Sequence, residues 1–184
     1  YTVSTATFAQ ITDADFNALG ASDVEFLENY LLFVSPNSGV FFGADLGSDS
    51  DFDALNFATA EGSPDDLVGM KVDHLQAILF GGKTIEIWDN TGVAGFPFER
   101  AINGFVEIGC LSGQSIAKQD NSVFWLADDY TIRRLDGATP IRVSTHAVEQ
   151  SIVRATITAC RAFSYSQAGH LFYVITFPEV TWVY

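Results

Sequence analysis

The most regular feature of the sequence is a set of four short, continuous apolar runs. Each run is too short for a helix and is typical of a strand that is buried on both faces. The runs lie at residues 30–34, 76–80, 122–126 and 171–175. They recur at intervals of 47, 46 and 48 residues when the equivalent positions are taken as Phe33, Phe80, Leu126 and Val174. An internal repeat of this length constrains the fold more than any local detail does.

Each apolar run stands inside a larger unit of strand patterns. A turn and an alternating strand follow the run, which indicates a hairpin, and a further strand candidate precedes it. The predicted first strands are 24–27, 68–72, 114–117 and 161–165, and the predicted third strands are 40–44, 84–88, 131–135 and 180–184. Fourth strands are predicted at 56–59, 98–102 and 141–144. Each unit is therefore expected to contain four antiparallel strands.

Four-stranded units that repeat near this length are typical of a β-propeller, in which neighbouring blades cover each other's faces. We predict an all-β chain, a single domain or propeller segment over residues 1–184, with two short helices near 13–19 and 146–154. The predicted blades are 20–60, 67–104, 112–145 and 160–184. Two arrangements stay open. Residues 1–8 complete the last blade and close a four-bladed ring, or the chain is an arc of a larger propeller.

The charge of the chain excludes one class of function. There are 9 Lys and Arg residues against 23 Asp and Glu residues, so the net charge is −14, and the basic residues are scattered. A protein that binds nucleic acid through its phosphates needs clustered basic residues, so direct DNA binding is not expected. No apolar run approaches the roughly 20 residues that span a membrane. The chain starts without Met or a signal-peptide pattern, so we expect it to be part of a longer product.

Cysteine and histidine positions indicate structure rather than catalysis. Cys110 and Cys160 occupy equivalent places in successive blades, which lie about 10 Å apart, whereas a disulfide needs Cα atoms within about 7 Å. We therefore predict two free, buried thiols, as in a protein that folds in the cytoplasm. His74 and His170 precede apolar strands, where a hydrogen-bonded turn residue is expected. With no hydrolase elbow or phosphate-binding loop, we predict no catalytic residue and no cofactor.

No metal site is predicted. Asp49, Asp51 and Asp53 have the spacing of the first ligands of an EF-hand loop. The two positions that such a loop reserves for Gly and Glu are Ala54 and Ala60, so the segment is predicted to be a solvated acidic loop.

The best candidate for a functional surface is a loop with two phenylalanines and an arginine. Phe96, Phe98 and Arg100 are of types that are enriched in protein interfaces, so we predict a protein-contact loop. The alternative, that both Phe rings pack between blades, stays open.

Several phrases in the chain are similar to one known family. They are FVSPNSG at 33–39 with FF at 41–42, FATAEGSPD at 57–65, LFGGKTIEIWDNTG at 79–92, FPFER at 96–100, DNSVFWL at 120–126 and RVSTH at 142–146. Together they resemble the packaged-DNA stabilisation proteins, or tail accessory factors, of short-tailed bacteriophages. The resemblance runs from about residue 24 to residue 184 and is spread over structural positions, so it supports a fold more than a site.

This resemblance implies a non-enzymatic virion protein of the tail, made in the cytoplasm of a bacterial host from a phage or prophage gene. Members of that family are longer than this chain and form a hexamer below the portal and its adaptor. The implied role is to seal the channel and retain packaged DNA. The implied partners are further copies, the portal or adaptor, the tail needle and the tailspikes. Two other readings stay open: a propeller lectin or glycan-active tail protein, and an unrelated cytoplasmic propeller scaffold.

Overall fold

The computed structural model describes residues 9–60 and 62–184 and contains four consecutive antiparallel sheets, which we call blades 1 to 4. Blade 1 consists of β1 (Asp23–Leu27), β2 (Tyr30–Val34), β3 (Val40–Gly43) and β4 (Phe57–Thr59). Blade 2 consists of β5 (Leu67–Asp73), β6 (Gln76–Gly81), β7 (Ile85–Asn90) and β8 (Phe98–Val106). Blade 3 consists of β9 (Ala117–Gln119), β10 (Ser122–Leu126), β11 (Ile132–Asp136) and β12 (Thr139–Arg142). Blade 4 has three strands, β13 (Arg161–Gln167), β14 (His170–Thr176) and β15 (Thr181–Val183).

Within every blade the strands pair in chain order, each antiparallel to its neighbour. The predicted all-β fold of four-stranded antiparallel units is confirmed. The prediction of a first strand at 114–117 is wrong, because Gly113–Ser115 forms a 3₁₀ turn and the strand begins at Ala117. The reason is local: the Ser115 hydroxyl donates to Ser112 O at 2.6 Å and accepts from Leu126 N at 3.0 Å. These side-chain bonds take the place of strand pairing there.

Two short α-helices flank the blades. α1 (Ala14–Leu19) begins after Asp13, whose carboxylate accepts hydrogen bonds from the backbone N–H of Asp15 and Phe16 at 2.9 and 3.0 Å. α2 (His146–Ile152) lies between blades 3 and 4. The residue before α2, Thr145, makes no side-chain cap hydrogen bond.

The same tight turn joins the first two strands of all four blades. Each turn has two residues with positive φ, the geometry of a type I′ hairpin, which matches the twist of the flanking strands. The turns are Glu28-Asn29, His74-Leu75, Asp120-Asn121 and Ala168-Gly169. They recur at intervals of 46, 46 and 48 residues. The structural equivalent of Phe80 in blade 1 is therefore Val34, and the equivalence assigned to Phe33 from the sequence is wrong by one residue.

Three apolar junctions hold consecutive blades together. We call the face of a blade that turns toward the next blade its forward face and the opposite face its backward face. Leu32 and Val34 on the forward face of blade 1 pack against Ala77 and Leu79 of blade 2. In the same way, Ile78 and Phe80 pack against Val123 and Trp125, and Phe124 and Leu126 pack against Tyr173 and Ile175. Because alternate strand residues point to opposite faces, Phe33 lies on the backward face of blade 1.

The first strands of neighbouring blades are also tied by polar contacts. Asp23 Oδ2 accepts a hydrogen bond from Met70 N at 2.8 Å, and Glu25 forms an ion pair with Lys71. Between blades 3 and 4, Gln119 Nε2 donates to Tyr165 O at 2.9 Å. The first strands of consecutive blades are therefore in contact, as expected for the innermost strands of a propeller.

The two ends of the blade series differ. On the backward face of blade 1, Phe16 of α1 and Phe52 pack over Phe33 and Phe42. Within residues 9–60 and 62–184, no element covers the forward face of blade 4 in this way, and Phe163 is 54% exposed. The choice between a closed four-bladed ring and an arc of a larger propeller stays a prediction. The predicted closing strand at 1–8 lies outside the described residues.

Candidate protein-contact surfaces

The predicted contact loop leads into β8, at the junction between blades 1 and 2. The Phe98 ring is only 3% exposed and meets Tyr30 edge to face, with ring centroids 5.4 Å apart. Phe96 lies 5.1 Å from Phe98 and 5.3 Å from Phe41, again between ring centroids. The structure thus brings both phenylalanines into the packing between blades, which was the open alternative. A contact role for the loop stays a prediction, and it falls on Arg100.

Arg100 lies over a buried carboxylate. Glu86 is 2% exposed and accepts hydrogen bonds from Gly62 N at 2.7 Å and from Trp88 Nε1 at 2.9 Å. Arg100 Nη1 is 3.4 Å from Glu86 Oε1, and its guanidinium carbon lies 5.8 Å from the centre of the Phe105 ring. Because Glu86 has three donors, its charge is compensated, and it holds the linker between blades 1 and 2 in place. The exposed part of Arg100 remains accessible to a partner.

A second polar cluster lies between blades 2 and 3. Asp73 is largely buried, with its Oδ2 2.9 Å from His74 Nδ1 and its Oδ1 2.7 Å from Lys118 Nζ. Asp73 and His74 line a cleft of about 480 Å³ together with residues of the turns that follow β9 and β11. His74 is a turn residue with φ of 49°, and its ring lies against the preceding carboxylate. The ion pair of Lys118 with Asp73 ties blade 3 to blade 2, although Asp73 Oδ1 accepts no hydrogen bond in the described part of the chain.

The cysteines are free and buried, as predicted. Burial raises the pKa of Cys110 to about 12, and its thiol donates to Ser112 O at 3.2 Å. Burial also raises the pKa values of Cys160 and Tyr173, and the Tyr173 hydroxyl donates to Ser115 O at 2.7 Å. Thiols held in the protonated form are poor nucleophiles, so both cysteines serve as packing. Cys110 packs at the junction of blades 2 and 3, and Cys160 packs with Tyr173 at the junction of blades 3 and 4.

A carboxylate network holds α2 on blade 3. Glu149 forms an ion pair with Arg142 and accepts a hydrogen bond from the Ser144 hydroxyl at 2.7 Å. The hydrogen bond from Arg142 is the main reason that the pKa of Glu149 lies below its ordinary value of 4.5, and it outweighs the effect of burial. Because Thr145 makes no side-chain cap hydrogen bond, the pair of Glu149 with Arg142 of β12 is the contact that ties the first turn of α2 to blade 3.

The acidic loop of blade 1 uses its carboxylates for its own turns. Asp51 Oδ2 accepts from the Ser48 hydroxyl at 3.1 Å, and Asp53 Oδ1 accepts from Leu55 N at 2.9 Å. Among residues 9–60 and 62–184, no group of three or more His, Cys, Asp and Glu side chains is placed to hold a metal ion. In the same part of the chain, no helix is long and apolar enough to cross a membrane.

Repeated antiparallel blades that pack face to face through apolar junctions define a protein of the β-propeller class. The family model described as "Bacteriophage P22 Gp10, beta-propeller" matches residues 1–184, the whole chain. The chain therefore belongs to this family of phage DNA-stabilisation proteins, and it is a phage structural protein. The family assignment agrees with the resemblance seen in the sequence.

Other comparisons add little. Among solved structures, the chain is similar to Hsv2 of Kluyveromyces lactis, titled "complete loop 6CD", with 10% sequence identity and a TM-score of 0.42. That match covers 88% of this chain and 60% of the Hsv2 chain. A similarity at this level supports no functional inference. No curated protein sequence matches the chain.

Proposed function

We propose that this chain is a propeller domain, or a segment of one, in a non-enzymatic component of a bacteriophage or prophage tail. In this proposal the protein oligomerises as a ring below the portal and adaptor, seals the channel and retains the packaged DNA. The observation that carries the proposal is the family match over all 184 residues. By resemblance, the ring is a hexamer, and the tail needle and tailspikes are its further partners in the virion tail.

The charge distribution supports retention of the packaged DNA by closing the channel rather than by binding the DNA. Residues 1–70 contain twelve Asp and Glu residues and no Lys, Arg or His. A surface of one sign raises an electrostatic barrier to a polyanion, and it offers no cations for phosphate contacts. An anionic plug below a DNA-filled channel repels the DNA end while protein contacts hold the plug in place.

The chemistry of the described side chains agrees with a role in protein–protein contacts rather than in catalysis. Of the two most buried carboxylates of blade 2, Glu86 accepts hydrogen bonds from N–H donors and Asp73 forms an ion pair with Lys118. Burial raises the pKa of Cys110 rather than activating it. The protein is therefore proposed to act through its surfaces and not through a reaction.

The proposal is tested by mixing the purified full-length protein with isolated portal–adaptor complexes and following sedimentation. We expect rings that co-sediment with the complex, and no shift of free duplex DNA in the same buffer. Failure to bind the portal–adaptor complex would contradict the proposed role. Binding to or hydrolysis of host polysaccharide would favour the glycan-active alternative.

A further inference from the structure

Blade 2 differs from the other four-stranded blades in the length of its outermost strand. The outermost strands of blades 1 and 3 are β4, with three residues, and β12, with four. β12 also contains Pro140, which has no N–H group to donate to a further strand. β8 has nine residues, so it alone among these three strands is long enough to present an extended row of unpaired backbone groups.

The pairing of β8 with β7 is interrupted in its middle. Trp88 pairs with Arg100 and Glu86 pairs with Phe105, so five steps along β8 correspond to two steps along β7. Three residues of β8 are therefore extra to the ladder. We call the interrupted stretch, residues 101–104, the β8 bulge; it is larger than the one-residue bulge that is common at sheet edges.

The local sequence specifies this bulge. Ala101 belongs to the same apolar cluster as Ile87, so the chain leaves the ladder only after Ala101 has packed on the blade. Asn103 has a φ of 62°, a conformation that asparagine adopts more readily than most residues. A Cβ atom on Gly104 would lie 2.6 Å from Ile87 O and 3.0 Å from Ala101 O, so glycine is required where the chain returns to the strand. Ile102, at the tip, is 95% exposed.

The bulge shortens the edge that blade 2 can offer. A strand that pairs with β8 needs a continuous row of outward N–H and C=O groups, and the bulge divides that row into residues 98–100 and residues 105–106. Neither piece is longer than β4. The outermost strands of blades 1, 2 and 3 thus all present a short edge, although β8 is long.

We propose that the β8 bulge prevents a second copy of the protein from pairing its own β8 edge with the outer edge of blade 2. Every copy carries the same edge, so an uninterrupted β8 would allow two copies to continue one sheet. This inference goes beyond the proposed function. It assigns residues 102–104 a role in preventing edge-to-edge association, and the fold of blade 2 does not require them.

The test removes the extra residues from the full-length protein. Deletion of residues 102–104 places Ala101 opposite Ile87 in an uninterrupted ladder. Deletion of residues 102 and 103 alone leaves one extra residue and therefore an ordinary bulge, so it is the matched control. Ile102→Ser is a second control, which removes the exposed side chain and keeps the whole bulge. Sedimentation velocity over a concentration series measures association, and amide hydrogen exchange in β8 locates it.

We expect the protein without residues 102–104 to unfold cooperatively in urea and to associate at least about tenfold more tightly than the wild type, with slowed exchange in β8. Both controls should sediment as the wild type does. A folded deletion variant that also sediments as the wild type does would overturn the proposal. An unfolded one would overturn it too, because blade 2 would then require the three residues.

The controls decide between the edge and the side chain. Association of the Ile102→Ser protein as tight as that of the three-residue deletion would overturn the proposal, because the loss of one exposed side chain would then explain the effect. None of these measurements involves the portal–adaptor complex, so failure of this proposal leaves the proposed function intact.

Discussion

Replacing Phe98 with alanine separates packing from partner contact in the predicted contact loop. The ring is 3% exposed and lies among Tyr30, Phe41 and Phe96, so its removal leaves a cavity at the junction of blades 1 and 2. Phe→Ala changes in protein cores cost about 3–5 kcal/mol. We expect Phe98→Ala to lose an amount in that range, which is a large part of the roughly 5–15 kcal/mol that stabilises a typical domain.

Two neighbours provide the comparison. Phe96→Ala should cost about half as much as Phe98→Ala, because the Phe96 ring is only partly buried. Arg100→Ala should cost less than about 1 kcal/mol, because the arginine is half exposed and Glu86 keeps its bonds to Gly62 N and Trp88 Nε1. If the loop contacts a partner through Arg100, this variant should weaken binding to portal–adaptor complexes while its stability stays near that of the wild type.

The assay is urea unfolding followed by tryptophan fluorescence, with the free energy of unfolding taken from the midpoint and slope. The slope should be unchanged in all three variants, because the same surface becomes exposed on unfolding. A loss below about 1 kcal/mol for Phe98→Ala at an unchanged slope would refute the packing argument. A loss for Arg100→Ala as large as that for Phe98→Ala would show that the charge of Glu86 depends on the arginine.

Three further predictions concern the turns, the helix network and the thiols. Leu75 and Gly169 both hold the second, positive-φ position of a type I′ turn. In urea unfolding, Leu75→Gly should therefore stabilise the protein by about 1 kcal/mol and Gly169→Ala should destabilise it by about as much; changes of the same sign in the free energy of unfolding would contradict this. The lowered pKa of Glu149 contributes stability above pH 4.5 that is lost as the pH falls through the folded-state pKa. Glu149→Gln should therefore reduce the dependence of the free energy of unfolding on pH in the acid range, and an unchanged dependence would contradict the role of the arginine partner. Cys110 and Cys160 should resist a thiol reagent in the folded protein and react fully in denaturant; rapid labelling of the folded form would contradict their burial.

The hydrophobic pattern of the sequence locates the apolar strands, but it does not show which side chains of a strand point toward the next blade. β2, β6, β10 and β14 were predictable because short apolar runs bounded by turn residues have few alternatives to a buried strand. Phe33 and Val34 are both apolar, so hydrophobicity alone does not say which of them faces blade 2. The turns contain the missing signal: Asn29, Asn121 and Gly169 are residues that favour positive φ, and aligning them sets the faces correctly.

The candidate site was less predictable than the fold. Aromatic residues are enriched in protein interfaces and in cores alike, so composition could not decide between the two environments for Phe96 and Phe98. Their burial depends on Tyr30 and Phe41, which belong to another blade and reach them only after the chain has folded.

The measurement closest to the central claim is DNA retention by phage heads that were filled in the absence of this protein. The purified full-length protein is added in increasing amounts, and the fraction of packaged DNA that resists an added nuclease is determined. The account predicts that protection rises with protein concentration to a plateau, while free DNA in the same mixture is digested at an unchanged rate. Bound protein that leaves the packaged DNA open to the nuclease would contradict a structural seal.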